Sequence, residues 1–339
     1  MSHQVTIRPS NHVFSVREDE TILDAALREG HVIAYGCRNG ACGTCKGTIV
    51  QGNVDYGTHQ QSALTEAEKR LGLALFCRAK PCTDLVVETR EVSAVNGIQI
   101  KTLPCRVQKM DRVAPDVMVI HLKLPASERL QFLAGQYVDI LMKDGSRRSL
   151  SMANAPHDDD FLQLHLRNYG GPFSRHVFNT MKVRDILRFE GPLGTFFLRD
   201  DSEKPILLLA SGTGFAPIKA LVEHALHLKS RRPMVMYWGA RVRADLYMND
   251  LPEAWAKSHP DFKYVPVLSE PLATDNWTGR TGLVHHAVMH DIPDLSSYQV
   301  YACGAPVMVE SAHRDFTTRC KLPEDEFYSD AFTPAAPTA

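Results

Sequence analysis

The spacing of apolar positions changes twice along the chain. Residues 4–18 alternate apolar and polar at Val5, Ile7, Val13, Phe14 and Val16, which predicts two short strands. Thr21 then caps Ile22–Glu29, a short amphipathic helix that Gly30 ends. A glycine-rich loop, a strand at Thr48–Val50, a polar helix near Thr65–Leu71 and a strand at Leu85–Thr89 complete the pattern of a small β-grasp domain. From Pro104 to about Asp200 the chain becomes a series of short strands: Arg106–Lys109, Val117–Leu124, Tyr137–Leu141, Leu162–Arg167 and Ile186–Phe189. Turns at Asp144-Gly145, Gly170-Gly171 and Gly191-Pro192 separate them, as in a small antiparallel barrel. After Pro205 the rhythm is α/β. Apolar strands at Ile206–Ala210, Met234–Trp238, Tyr264–Leu268 and Gln299–Cys303 alternate with helices, the first at Pro217–Leu228, and predict a parallel sheet.

The expectation is an α+β multidomain chain without internal repeats. Its segments are 1–95, a linker at 96–103, a barrel at 104–201, an α/β domain at 202–333 and a disordered Pro/Ala tail at 334–339.

Composition narrows the classes without choosing among them. The 339 residues carry 38 Lys and Arg against 39 Asp and Glu, so no global field points to nucleic acid or an anionic membrane. No apolar run reaches the length of a membrane span, and the N-terminus lacks the charged and apolar regions of a secretion signal. A cytoplasmic monomer is expected.

The eight cysteines change the picture. Cys37, Cys42 and Cys45 are spaced C-x4-C-x2-C, and Cys77 follows far downstream, the plant-type pattern for a [2Fe–2S] cluster. Between the ligands lie mostly small or turn-prone residues, which let backbone N–H groups approach the sulfurs. A zinc site would want two C-x2-C pairs, and one is present. Cys82 competes with Cys77, but it precedes the strand at Leu85 directly, whereas Cys77 ends the apolar run Leu73–Phe76. Cys82, Cys105, Cys303 and Cys320 are expected to be buried thiols.

Two further sets suggest phosphate binding. Arg148 and Ser151 follow the Asp144-Gly145 turn, and Arg167 to Ser174 join a strand to a helix through Gly170-Gly171. An arginine together with glycine N–H groups at a helix N-terminus suits a diphosphate. Ser211-Gly212-Thr213-Gly214-Phe215-Ala216-Pro217 follows a buried strand and opens a helix, as a dinucleotide turn does. Gly239 and Arg241, and then Cys303-Gly304-Ala305-Pro306, end later strands at the carboxyl edge where ligands bind. His285, His286 and His290 have no carboxylate or cysteine partner nearby in sequence and are expected to be solvated helix residues. Asp158-Asp159-Asp160 reads as a polar turn.

Together these motifs resemble the ferredoxin–NADP reductase superfamily with an N-terminal plant-type ferredoxin domain, over the whole chain except the tail. The family flavin motif R-x-Y-S matches Arg148-Ser149-Leu150-Ser151. The resemblance implies that Arg148 holds the FAD pyrophosphate, that Ser151 hydrogen-bonds flavin N5, and that Leu150 replaces the usual stacking tyrosine. His165, Leu166 and Arg167 match the strand lining the flavin, and Gly170, Gly171, Phe173 and Ser174 its pyrophosphate loop. Gly212, Thr213, Gly214 and Pro217, with Cys303, Gly304 and Pro306, match the nicotinamide nucleotide site. Phe332 matches the terminal aromatic that covers the flavin. Ser151, Cys303 and Phe332 are therefore the expected catalytic group.

The ferredoxin-first order resembles reductase components of aromatic-ring dioxygenases and monooxygenases. Phe132–Tyr137, Ile186–Gly194 and Gly214–Lys219 look closest to the CDP-6-deoxy-Δ3,4-glucoseen reductases. The implied function is electron transfer from NADH through FAD and [2Fe–2S] to a terminal acceptor protein, either a deoxysugar dehydratase or an oxygenase component. Arg241 and Arg243 leave NADPH open as a donor. A stand-alone flavin or ferric reductase and a redox sensor are the rival readings. The exit surface is expected around Arg38–Thr44.

Overall fold

The computed structural model describes residues 2–92, 95 and 97–333. The expected tail, 334–339, and part of the expected linker lie outside them. Two compact units divide between Ile98 and Gln99.

In the first unit, β1 (His3–Arg8) and β2 (Val13–Val16) form the opening hairpin. Next come α1 (Ile22–Arg28), β3 (Lys46–Gln51), β4 (Val54–Asp55), α2 (Glu66–Arg70), β5 (Leu73–Leu75), β6 (Lys80–Pro81) and β7 (Leu85–Glu88). Five strands form a mixed sheet, ordered β2-β1-β7-β3-β5, with β1 and β7 parallel. Thr21 caps α1 by accepting from Asp24 N–H, and the buried face Ile22, Leu23, Ala25 and Ala26 fixes the helix in place. Thr65 and Glu68 close a reciprocal capping box on α2.

The second unit begins with a six-stranded antiparallel sheet, ordered β11-β10-β13-β8-β9-β12. Its strands are β8 (Lys101–Ala114), β9 (Val117–Lys123), β10 (Tyr137–Leu141), β11 (Arg147–Ser151), β12 (Leu162–Arg167) and β13 (Ile186–Leu193), with α3 (Pro172–Asn179) after β12. A bridge between Met152 and Leu164 brings the ends of the sheet together around a core of Val107, Ile120, Leu122, Val138, Ile140, Leu164 and Phe189. Strand β8 starts at Lys101, within the stretch expected to be a linker. Pro104 lies in the part of β8 that pairs only with β13, where a missing N–H is tolerated.

The α/β part contains β14 (Ile206–Ser211), α4 (Phe215–His227), β15 (Met234–Ala240), α5 (Asp250–Ser258), β16 (Phe262–Leu268) and β17 (Arg280–Thr281). The chain then continues through α6 (Val284–Asp291), β18 (Gln299–Gly304), α7 (Pro306–Arg319) and β19 (Phe327–Ala331). All six strands are parallel, in the order β17-β16-β15-β14-β18-β19. The central strands are apolar on both faces, as a covered parallel sheet requires. The final strand β19 pairs with β18 and returns the C-terminal residues to the sheet edge where β14 and β18 end.

Candidate redox sites

The cluster loop folds into two thiol pairs. Ala41 and Cys42 donate backbone N–H bonds to Cys37 Sγ at 3.4 and 3.3 Å, and Cys37 N–H reaches Cys42 Sγ at 3.4 Å. A hydrogen bond from Cys42 pulls the Cys37 thiol down to about 5, and the N–H groups of Asn39, Ala41 and Cys42 add to it. Cys45 hydrogen-bonds Cys77, and that bond, together with burial, pushes the Cys45 thiol well up. Both members of this second pair are buried. Two pairs facing one another suit two irons, each taking two thiolates, and the loop amides supply donors that favour anionic sulfur. Thr44 Oγ1 lies 3.3 Å from Cys42 Sγ. Gly40 has φ +78°, and a Cβ there would meet Arg78 Cγ at 2.8 Å. The loop therefore needs glycine on both backbone and steric grounds.

Cys82 is exposed, which corrects the expectation of a buried thiol; its N–H instead ties the chain to Asn53. Cys105, Cys303 and Cys320 are buried. Arg38 has φ +57° and pairs with Asp24, Nη2 to Oδ1, at 3.0 Å.

In the second unit, Arg148–Ser151 lie on β11, paired with β10, where the sequence pattern marks only a segment after a turn. Ser149 donates to Asp139 at 2.6 Å, Leu150 packs on the barrel core, and Arg148 is half-exposed. The neighbouring β12 buries His165, while Leu166 packs on the barrel core. At its end, Gly170 has φ +76° and α3 starts at Pro172 after Gly171, with no side chain capping its first N–H groups. Phe173 and Ser174 are buried in that first turn. Uncapped N–H groups, an arginine and a buried serine hydroxyl fit a flavin dinucleotide.

Between β14 and α4, Gly212–Gly214 make one tight helical turn, again without a side-chain cap, and Thr213 is buried. A Cβ on Gly214 would sit 2.2 Å from the Cys303 carbonyl oxygen, and one on Gly304 would sit 2.3 Å from Ser211 Oγ. The two loops at the ends of β14 and β18 thus touch backbone to backbone, and Ser211 Oγ also accepts from Ala305 N–H at 2.9 Å. Pro217 is buried in α4, and Pro306 opens α7. Gly239 lies near the end of β15, where a Cβ would meet Val284. Arg241 is exposed beside Asp245 at 3.6 Å, whereas Arg243 bonds Asp275 through both its N–H and its guanidinium. This cradle of uncapped N–H groups fits a nicotinamide dinucleotide.

One juxtaposition was not visible in the sequence. Ser151 Oγ donates to Asp330 Oδ2 at 3.1 Å, and Cys303 Sγ lies 4.0 Å from the same oxygen. Asp330 joins this group because β19 pairs Cys303 with Asp330. Its only sequence signal was its place two residues before Phe332, whose N–H bonds Gly304 O at 2.8 Å. Cys303 is fully buried, and burial with the Asp330 charge pushes its thiol well up, so it is a neutral thiol rather than a nucleophile.

The histidine expectation also needs correction. His285 is buried, with Nε2 3.5 Å from Asp315 Oδ2 on α7, a carboxylate that only folding brings near. His286 and His290 are exposed.

The comparisons with known proteins agree with this geometry. The 2Fe-2S iron-sulfur cluster binding domain family matches residues 5–82, the oxidoreductase FAD-binding domain family 104–198, and the oxidoreductase NAD-binding domain family 208–314. The chain belongs to the ferredoxin–NADP reductase superfamily of iron–sulfur flavoproteins with an N-terminal ferredoxin domain. It is 42% identical to the CDP-6-deoxy-L-threo-D-glycero-4-hexulose-3-dehydrase reductase of Yersinia pseudotuberculosis, over 99% of this chain and 100% of that one. Identity to terephthalate 1,2-dioxygenase reductase component 1 of a Comamonas species is 33%, over 98% of each chain. The crystal structure of Amycolatopsis cytochrome P450 reductase GcoB aligns with a TM-score of 0.81 at 32% identity, covering 98% of this chain and 100% of that one.

This protein is thus an NADH-dependent oxidoreductase that carries FAD and a [2Fe–2S] cluster and passes electrons to a partner protein. Among the described residues, no helix is long and apolar enough to cross a membrane.

Proposed function

We propose that the partner is a CDP-deoxysugar 3-dehydratase and that the reductase works in the cytoplasm as a monomer. The observation that carries the partner assignment is the end-to-end likeness, at 42% identity, to a reductase named for such a dehydrase, against 33% for a dioxygenase reductase component. In reconstitution, NADH oxidation coupled to a CDP-6-deoxyhexulose 3-dehydratase should exceed that coupled to an aromatic-ring oxygenase. Capture of an oxygenase by the reduced protein from its own cell extract, with productive coupling, would overturn the assignment.

The following residue roles belong to this proposal, and the uncapped N–H groups and thiol pairs described above support them. Cys37 and Cys42 hold one iron, and Cys45 and Cys77 the other. Arg148 and the uncapped start of α3 at Gly170–Ser174 hold the FAD diphosphate, with Ser149, Leu150 and His165–Arg167 lining the flavin. Gly212–Pro217, Gly239, Arg241 and Cys303–Pro306 hold the nicotinamide nucleotide, and Phe332 covers the flavin. The working segments are 1–95, 104–201 and 202–333. FAD held by these residues would supply hydride acceptance from NADH and one-electron release, which matches the one-electron capacity of the cluster.

The chain's own task is to orient and to exclude water. Ser151 presents a hydroxyl whose proton points to Asp330, so Asp330 sets its direction. The neutral Cys303 thiol and Phe332 line the same neighbourhood without adding charge. On the first unit, Arg38–Thr44 form the electron exit. Reversing charge at Arg38 should slow reduction of the partner and leave NADH-to-dye turnover unchanged. An equal loss in both assays would rule the exit surface out.

A further inference from the structure

The barrel and the α/β part of the second unit meet along one face of β12. Strand geometry places Gln163, His165 and Arg167 on the same side, opposite the core residues Leu162 and Leu164. That side faces the turn and short helical segment at the ends of β14 and β15. His165 Nδ1 lies 2.9 Å from the Tyr247 hydroxyl, and Arg167 Nη2 lies 3.3 Å from Asp245 Oδ1. A Cβ on Gly212 would be 3.6 Å from Arg167 Nη1. A third tie lies nearby, where the buried Lys219 ammonium of α4 donates to Ala153 O at 3.0 Å and to Glu223 at 2.7 Å.

These joints are polar and enclosed, so they are directional. His165 is 4% exposed, and burial, with Lys219 adding, holds its pKa down to about 3. The ring is therefore neutral in the working pH range and can accept at Nδ1 from Tyr247. Its Nε2 proton then faces Gln163 Oε1 at 3.4 Å. Tyr247 keeps partial exposure as a residue, but its hydroxyl end is enclosed, and burial pushes the phenol well up. The Tyr247 ring meets Phe215 and Trp238 edge-on at 5.9 and 5.3 Å. Apolar surfaces could slide past one another by an ångström at little cost. A buried hydroxyl–imidazole bond cannot, because either group left unpaired is penalised.

We propose that Tyr247 is a positioning residue for hydride transfer, which through His165 fixes the barrel against the α/β part at the distance the reaction needs. The inference rests on the reading that the barrel holds FAD and the Gly212–Pro217 turn the nicotinamide nucleotide. In the transfer, the nicotinamide C4–H bond breaks with its electron pair and an N–H bond forms on flavin N5, oxidising NADH to NAD⁺ and reducing FAD. A misplacement of about 1 Å costs on the order of 100-fold in such a step. The two reactants sit on different halves of the unit, so the joint between the halves controls that distance.

The test uses the full-length holoprotein. Tyr247→Phe keeps the ring and its aromatic contacts and removes only the hydroxyl. It should slow flavin reduction at saturating NADH by about 10- to 100-fold, change the NADH Kd by less than about 3-fold, and leave bound FAD unchanged. The long-wavelength charge-transfer absorbance formed when NAD⁺ meets the reduced protein should weaken, a signature of ring stacking that a purely structural role would not move. His165→Leu removes the acceptor and should match Tyr247→Phe in both rate and absorbance. That variant decides the matter if Tyr247→Phe does not fold. A parental rate and absorbance in Tyr247→Phe, a loss merely proportional to lost FAD, or a parental rate in His165→Leu would each overturn the proposal. Full FAD retention in Arg148→Ala would instead overturn the flavin-site reading beneath it.

Discussion

The cluster loop and the Ser151–Asp330–Cys303 group are assembled in opposite ways. In the first, three cysteines lie within nine residues, and the turn places the Cys37 and Cys42 sulfurs beside backbone N–H groups of the same loop. In the second, a serine bonds a carboxylate 179 residues away, and the thiol meets that carboxylate across two paired strands. A site made by local turns tolerates changes elsewhere in the fold, whereas a site made by strand register depends on all of it. Electron transfer from a compact cluster needs the first kind of rigidity. Hydride transfer needs the second, because two separately bound reactants must be brought to one distance.

Cys45→Ser would break the comparison most sharply. It should abolish the cluster, seen as loss of iron and of visible absorbance, and reduce partner turnover to background. NADH-driven dye reduction should survive, since it needs only the second unit. Loss of both activities would show that the two sites are not independent. Ser151→Ala, which breaks the Ser151–Asp330 bond between the barrel and the α/β part, should slow flavin reduction by NADH by about 10- to 100-fold through misplacement of the reactants. Iron content should not change, and stopped-flow absorbance reads both.

Gly214→Ala tests how tightly the two nucleotide loops are joined. Its Cβ would collide with the Cys303 carbonyl, so the loops must separate at a cost of about 1–3 kcal/mol, measurable by thermal unfolding, and the NADH KM should rise.

The smallest effect belongs to the first unit. Glu68, held down to about 2 by its hydrogen bond from Lys46, closes the α2 capping box. Its folded pKa lies below the ordinary 4.5, so its contribution is present above that pH and disappears as pH falls toward 2. Because the pair is partly exposed, Glu68→Gln should cost only about 0.5 kcal/mol at pH 7 and nothing near pH 2, by chemical denaturation.

Much of the fold was legible because its strands announce themselves. β10 and β12 coincide with the expected spans, and β14 and β18 extend them by one residue. β11 reads Arg-Arg-Ser-Leu-Ser, with little apolar alternation, because most of its side chains do not face the core. β8 extends past the expected Arg106–Lys109 at both ends and takes in Pro104, where the strand is unpaired on one side. His285 looked like one of a row of surface histidines until α7 supplied Asp315.

The sequence by itself determined which cofactors the chain carries. The Arg148–Ser151 motif, the Gly212–Pro217 turn and the Cys37–Cys45 spacing are short-range patterns, with Cys77 added from farther along the chain. Only the tertiary structure decided how the second unit's parts are joined: Asp330 to Ser151, Tyr247 to His165, Asp245 to Arg167. Those contacts arise from strand order and register, which place residues far apart in sequence at hydrogen-bond distance and leave no mark in the local pattern.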